Sequence, residues 1–305
     1  MKKKTQPKPV SFAYAIQSFI GYLEGTEKSH HTIKNYRLDL KAFERFICSE
    51  YKKKPIRLDQ VGRKDLNRFQ DHLAQLGQKT NTRRRKILTV TQFLNYLAKR
   101  KKVSPEIAKK IPTPHKIERI PFTVSTPLLM NAIVKLPEQT LLDLRNKVLL
   151  WVLAETGCLV SEAGQLRYEN IGEQGKLTLG FPEPRSILLS APLHERLLRL
   201  KRFSESEFPK QKFNNRAIFL GFNKFGPLGE AISPRGIELM VKFYGPKLGF
   251  PELTPRTFRH SVILHWFEKG LSQQEIQTRL GLKTTYAFRS YEPLLKSKSN
   301  PQVTA

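Results

Sequence analysis

Tyr291 stands nine positions beyond Leu282, the last residue of a Leu280-Gly281-Leu282 turn, and an Arg259-His260 pair lies about thirty residues upstream. A phenol in that position can act as a nucleophile, and a guanidinium can clamp a phosphate through paired N–H donors. Arg256, one helical turn before His260, adds a second cation that stays charged at every relevant pH but cannot serve as a general base. Taken singly, a Tyr near a C-terminus is a packing residue and an Arg-His pair is a solvated one. The chemical reading rests on their order and spacing across Thr156 to Tyr291.

The intervening residues supply the elements that would hold these groups. Ser272-Gln-Gln-Glu275 is a capping-box pattern that starts a helix through Ile276 and Leu280, with Gly281 as its stop. Ser261 to Lys269 reads as the preceding helix, ended by Gly270. Upstream, a domain begins near Thr123 with a helix, continues with a long apolar helix at Leu141 to Glu155, and carries a short β-meander at Lys176 to Leu189 before further helices.

This constellation resembles the tyrosine recombinase (phage integrase) family. The family box Thr-Gly-Leu-Arg-Ile-Ser-Glu-Leu is matched by Thr156-Gly157-Cys158-Leu159-Val160-Ser161-Glu162-Ala163, which puts Leu159 where the family has Arg. The second box, His-X-Leu-Arg-His, is matched by Arg256-Thr257-Phe258-Arg259-His260, so Arg256 replaces the first His while the Arg-His pair survives. Leu280-Gly281-Leu282 matches Leu-Gly-His or Leu-Gly-Trp, and Leu282 therefore lacks the donor. In the hairpin that carries a Lys general acid in the family, Phe181 is the matching residue. The resemblance implies Tyr291 as nucleophile, with Arg259, His260 and Arg256 around it. It also implies a 3′-phosphotyrosyl intermediate with a free 5′-hydroxyl, and no metal, nucleotide or other small-molecule cofactor. Because the transition state gathers negative charge on the phosphate, each lost cationic donor costs about 2.7–4 kcal/mol, roughly 10²–10³ in rate. Leu159, Phe181 and Leu282 thus point to a DNA-binding member of the family with weak or absent strand cleavage. An active recombinase using Tyr291, Arg259 and Arg256 is the alternative.

Composition fits a polyanionic partner. The formal net charge is +28, and residues 1–122 hold 29 basic against 10 acidic side chains, so most of the excess lies in the N-terminal part. That part reads as a small helical bundle. From His31 to Phe46, Ile33, Tyr36, Leu40, Phe43 and Phe46 recur at helical spacing, while Lys34, Arg37, Lys41 and Arg45 take the other side. Further helices run from about Lys64 to Gln75 and Lys79 to Arg100. The second of these opens with Arg83-Arg84-Arg85-Lys86, the densest positive cluster in the chain. Lys34, Arg37, Lys41 and Arg83 to Lys86 are the candidate DNA contacts, since a helix start also attracts phosphate through its free amides. Ser29-His-His-Thr-Ile-Lys-Asn-Tyr-Arg-Leu-Asp-Leu-Lys-Ala-Phe resembles the first long helix of the core-binding domain in Xer-type recombinases.

The expected fold is therefore mainly α. It has an N-terminal helical-bundle, SAM-like core-binding domain (1–100), a basic Pro-containing linker (101–122), a mixed α/β catalytic-type domain with a small β-sheet (123–295) and a polar tail (296–305). The resemblance implies a clamp around double-stranded DNA, with a homo- or hetero-tetramer on the DNA left open. Val10 to Leu23 suits an amphipathic helix better than a leader, and no stretch approaches the ~20 apolar residues of a membrane span. Two cysteines, Cys48 and Cys158, offer neither a metal-ligand spacing nor a disulfide framework, which favours a reducing cytoplasm.

Overall fold

The computed structural model describes residues 11–26, 28–51, 58, 61–104, 106, 113–180, 183–207 and 217–299. These fall into two compact units that divide between Glu118 and Arg119.

The first unit is built from α1 (Phe12–Glu24), α2 (His30–Tyr51), α3 (Arg63–Gln75) and α4 (Thr80–Lys99). Ser11 caps α1 by accepting the Tyr14 N–H at 3.3 Å, which satisfies one of the amides a helix start leaves free. The periodic apolar residues of α2 point inward as the sequence requires, with Leu40 and Phe43 fully buried. An aromatic run ties the four helices together: Phe12 packs edge-on against Phe43 at 5.8 Å, Phe43 against Phe69 at 5.0 Å, and Phe19 against Phe93 at 5.6 Å.

The second unit is organised around α6 (Leu141–Thr156), which packs against α5 (Thr126–Val134), α8 (Ala191–Glu207) and α10 (Pro255–Glu268). Thirteen of its sixteen residues are buried, so it runs through the middle of the core with no solvent face. Even its charged residues are enclosed. Lys147 donates to the carbonyls of Val134 and Leu136 at 2.6 and 2.9 Å and pairs with Glu138 at 2.7 Å. Arg145 has no such arrangement: its Nε and Nη1 are buried without a hydrogen-bond partner, and the guanidinium lies 5.0 Å from the Phe222 ring.

The remaining elements are α7 (Val160–Gln165), β1 (Lys176–Leu179), β2 (Arg185–Leu188), β3 (Leu220–Asn223), β4 (Gly226–Ala231), α9 (Pro234–Lys247), α11 (Gln273–Leu280), a 3-10 segment (Thr285–Tyr291) and α12 (Glu292–Ser299). The expected meander at 176–189 is a two-stranded antiparallel hairpin, with Lys176 opposite Leu188 and Leu179 opposite Arg185. A second hairpin, β3–β4, was not anticipated. Its strand Gly226-Pro-Leu-Gly-Glu-Ala231 has no alternation and no β-branched residue, so it carries no strand signal of its own.

Two chain reversals need glycine. Gly157 ends α6 at φ 60°, and Gly281 ends α11 at φ 63°, both in the left-handed region. The capping box at the start of α11 is formed as its sequence requires, Ser272 and Glu275 each accepting from the other's backbone N–H.

Candidate active site

Gly157 and Gly281 bring two loops to the same guanidinium. Arg259, on the second turn of α10, donates from Nη1 to the Gly157 carbonyl at 2.7 Å and from Nη2 to the Leu280 carbonyl at 3.2 Å. A Cβ on Gly157 would sit 2.5 Å from Cγ1 of Val262 and 3.6 Å from the Cα of Arg259, so the close approach that makes the first bond requires glycine. Burial lowers the pKa of Arg259, with Glu162 opposing that shift and Arg185 adding to it.

His260 follows Arg259 on α10, and its Nδ1 is hydrogen-bonded to the Tyr291 hydroxyl. Burial first, then the like charges of Arg256 and Arg259, push the His260 pKa down to about 4, so the ring is neutral at physiological pH. Burial raises the Tyr291 pKa, only partly offset by Arg259. The phenol therefore keeps its proton. Tyr291 is 3 % exposed and packs with Phe267 and Phe288 in a small core of its own with Val262, Ile263, Trp266, Ile276 and Leu280.

An open groove of about 790 Å³ lies beside these groups, lined by Leu159, Arg235, Lys242, Arg256 and Arg259 and also by the carboxylates Glu238 and Glu252, with Arg235 paired to Glu238 at 2.8 Å. Tyr291 is not one of its walls. Leu159, 48 % exposed, presents an alkyl chain to the groove where a cation was looked for. Leu282 packs against the core that holds Tyr291. Phe181 lies outside the described residues.

One cation near the site was missed. Arg185, at the start of β2, donates to both carboxylate oxygens of Glu162 at 2.5 and 2.9 Å and from Nε to the Arg279 carbonyl at 2.7 Å. Its partner Glu162 also accepts the Leu159 N–H at 2.7 Å. Burial raises the Glu162 pKa, but the bonds from Arg185 and the Leu159 amide, with the charges of Arg185 and Arg259, outweigh it and leave the carboxyl below its ordinary value. Arg185 thus ties α7, the hairpin and α11 together, with each of its three nitrogens donating to a protein acceptor.

Two sequence profiles match this chain: the phage integrase family over residues 126–296, and the phage integrase N-terminal SAM-like domain over residues 16–101. The chain belongs to the phage integrase family. Tyrosine recombinase XerD of Staphylococcus epidermidis is similar at 26% identity over 300 residues, which cover 95% of this chain and 97% of the relative. Among solved structures, a XerH site-specific recombinase bound to palindromic difH substrate, in a post-cleavage complex, aligns with TM-score 0.72 at 18% identity, covering 95% of this chain and 83% of that one. A lambda integrase tetramer bound to a Holliday junction aligns with TM-score 0.64 at 13% identity, covering 94% and 84%. At those identities the structural likeness speaks for the fold.

In this integrase-family chain the basic candidates of the first unit do not form one uniform set. Lys34 and Lys41 are exposed on the outer face of α2, while Arg37 beside them pairs with Glu24 at 3.4 Å. On α4 the Arg83–Lys86 run divides. Arg85 pairs with the buried Asp39, which also accepts from Thr89 at 3.2 Å. Arg84 donates to the Pro114 carbonyl at 2.8 Å, and the Nε of Arg83 is buried without a partner. Lys86 is half-buried. Arg85 is committed to a buried carboxylate that the spacing of α2 and α4 in the sequence gave no reason to connect with it. No helix among the described residues is long and apolar enough to cross a membrane, and no group of three or more His, Cys, Asp or Glu there could hold a metal ion.

Proposed function

We propose that this chain binds double-stranded DNA and that its strand-cleavage chemistry is weak or absent. The basic face of α2, the start of α4 and the groove cations Arg235, Lys242 and Arg256 would contact backbone phosphates. DNA as partner, and assembly of several copies on it, follow the bound states in which the XerH and lambda integrase proteins were solved.

One observation carries the reading of weak chemistry. At the groove the phosphate would meet Leu159 and an Arg259 whose two terminal nitrogens already donate to carbonyls, while Tyr291 is buried and is not one of the groove's walls. Phosphoryl transfer with little covalent help from the protein depends on cations positioned around the reacting phosphate, and here Leu159 supplies none while Arg259 has already given two of its five N–H donors to carbonyls. The retained Tyr291–His260 contact favours the second reading, an active recombinase that forms a 3′-phosphotyrosyl link through Tyr291.

The test is incubation with a nicked duplex that traps a covalent intermediate, run on a denaturing gel beside Tyr291→Phe. The expected result is tight, salt-sensitive binding with little or no adduct. Efficient adduct formation that disappears in Tyr291→Phe would establish the active recombinase instead.

A further inference from the structure

Arg256 and His260 stand four residues apart on α10 and so share one face of the helix. Arg256 is exposed and lines the groove; His260 is partly buried one turn deeper and holds the hydroxyl of Tyr291. The side chain that would greet an incoming anion is therefore also one that bears on the ring in contact with the nucleophile. We propose, resting on the DNA-binding reading above, that Arg256 is a positioning residue that makes the nucleophile responsive to bound phosphate. With the groove empty, its charge adds to burial in making His260 a poor proton acceptor, and a backbone phosphate held against Arg256 and Arg259 offsets that charge.

The electrostatics around the ring have one sign. After burial, the charges acting on His260 are those of Arg256 and Arg259, both on its own helix and both cationic. From the other elements packed here, Tyr291 in the 3-10 segment faces the ring as a neutral phenol, while Glu162 on α7 and Arg185 on β2 act on Arg259. No carboxylate contributes to the His260 shift. Glu238 and Glu252 line the groove but are not among the charges acting on the ring, and a phosphodiester held against both guanidinia would offset them at once, favouring the protonated imidazole. Arg259 couples the two places directly, since it lines the groove and its charge also acts on the Tyr291 oxygen.

The Tyr291 proton passes to His260 Nδ1, the phenolate oxygen forms a bond to phosphorus, and the P–O5′ bond breaks. The departing 5′-oxygen takes a proton from water. Arg256 touches no transferred proton in this scheme; it acts through His260.

The experiment follows the ring C–H signals of the histidines by NMR across pH in the full chain, with the His260 signal assigned by its loss in His260→Asn. In the free protein the His260 midpoint should lie well below the ordinary imidazole range. Arg256→Gln should raise it, as removal of a nearby like charge does, whereas Arg256→Lys should hold it low. Adding a short duplex to the wild-type protein should raise it likewise. Fluorescence anisotropy on the same samples reads DNA binding by itself. If the duplex binds and the His260 midpoint stays where it was, or if Arg256→Gln leaves it unmoved, the coupling is overturned while the DNA-binding reading stands. If the duplex does not bind, the DNA-binding reading falls and the coupling with it.

Discussion

Restoring one donor gives the sharpest test of why this site should be weak. Leu159 is the N-cap of α7, in an extended backbone conformation at φ −72° and ψ 151°, and its N–H is already accepted by Glu162 at 2.7 Å. The start of the helix therefore does not depend on the leucine side chain, which is half exposed at the wall of the groove. Leu159→Arg should fold with little change in stability, within about 0.5 kcal/mol as for ordinary surface substitutions. The new guanidinium would share the groove with Arg256 and Arg259, so it adds one positioned donor for a bound phosphate. Such a donor contributes about 10²–10³ in rate, or roughly 2.7–4 kcal/mol of transition-state stabilisation. It also adds one phosphate contact, which steepens the dependence of log K on log salt by about 0.9. The two effects separate when adduct formation on a nicked duplex is timed at saturating DNA, because affinity then drops out. The expected result is a rise in adduct rate of at least about a hundredfold, abolished by adding Tyr291→Phe. A variant with the steeper salt dependence but no gain in adduct would refute the reasoning, since the arginine would then reach the phosphate without relieving what limits cleavage.

Three further outcomes follow from the packing. Glu162→Gln breaks a bidentate ion pair whose side chains are 9 % and 13 % exposed, and should lower the unfolding free energy measured in urea by about 3–5 kcal/mol. Because folding lowers the Glu162 pKa from its ordinary 4.5, this contribution is present above pH 4.5 and fades as pH falls through the lower folded value; an acid titration of stability in the wild type and the variant should converge there. Gly157→Ala combines a left-handed backbone, worth about 1–2 kcal/mol, with a Cβ placed 2.5 Å from Val262, and should cost more than the backbone term alone in the same assay. Arg145→Met removes a buried cation with two unpartnered nitrogens and should raise the thermal midpoint; a fall would mean that the stack on Phe222 outweighs the cost of burying the charge.

The sequence made the helices legible where one face is apolar and the ends are chemically marked. Ile33, Leu40, Phe43 and Phe46 are buried on α2 at the spacing that announced them, and Ser272, Glu275 and Gly281 bound α11 as their types require. His260 and Tyr291, 31 positions apart, meet because the short elements between them are joined by tight turns that leave few ways to arrange them. Interactions between distant segments were not legible. Arg185 meets Glu162 across 23 residues and Arg279 across 94, and nothing local in a Pro-Glu-Pro-Arg stretch says that its guanidinium turns inward. Asp39 lies on a helix face whose exposed neighbours are basic, yet it is buried and claims Arg85, so a run of four adjacent cations becomes four separate environments. Hairpin β3–β4 was missed for a different reason: its pairing is set by the surrounding core rather than by the residues of its own strands.

The small core around Tyr291 has a mechanical consequence. It comprises seven buried side chains drawn from α10, α11 and the 3-10 segment, set apart from the larger core that encloses α6. A satellite cluster of that size carries only a fraction of the apolar burial of its neighbour, so it can loosen at a cost below that of global unfolding. Tyr291 thus rides on a region with its own thermodynamic ceiling. Amide protons of residues 273–291 should exchange through local opening while those of α6 wait for the whole unit to melt.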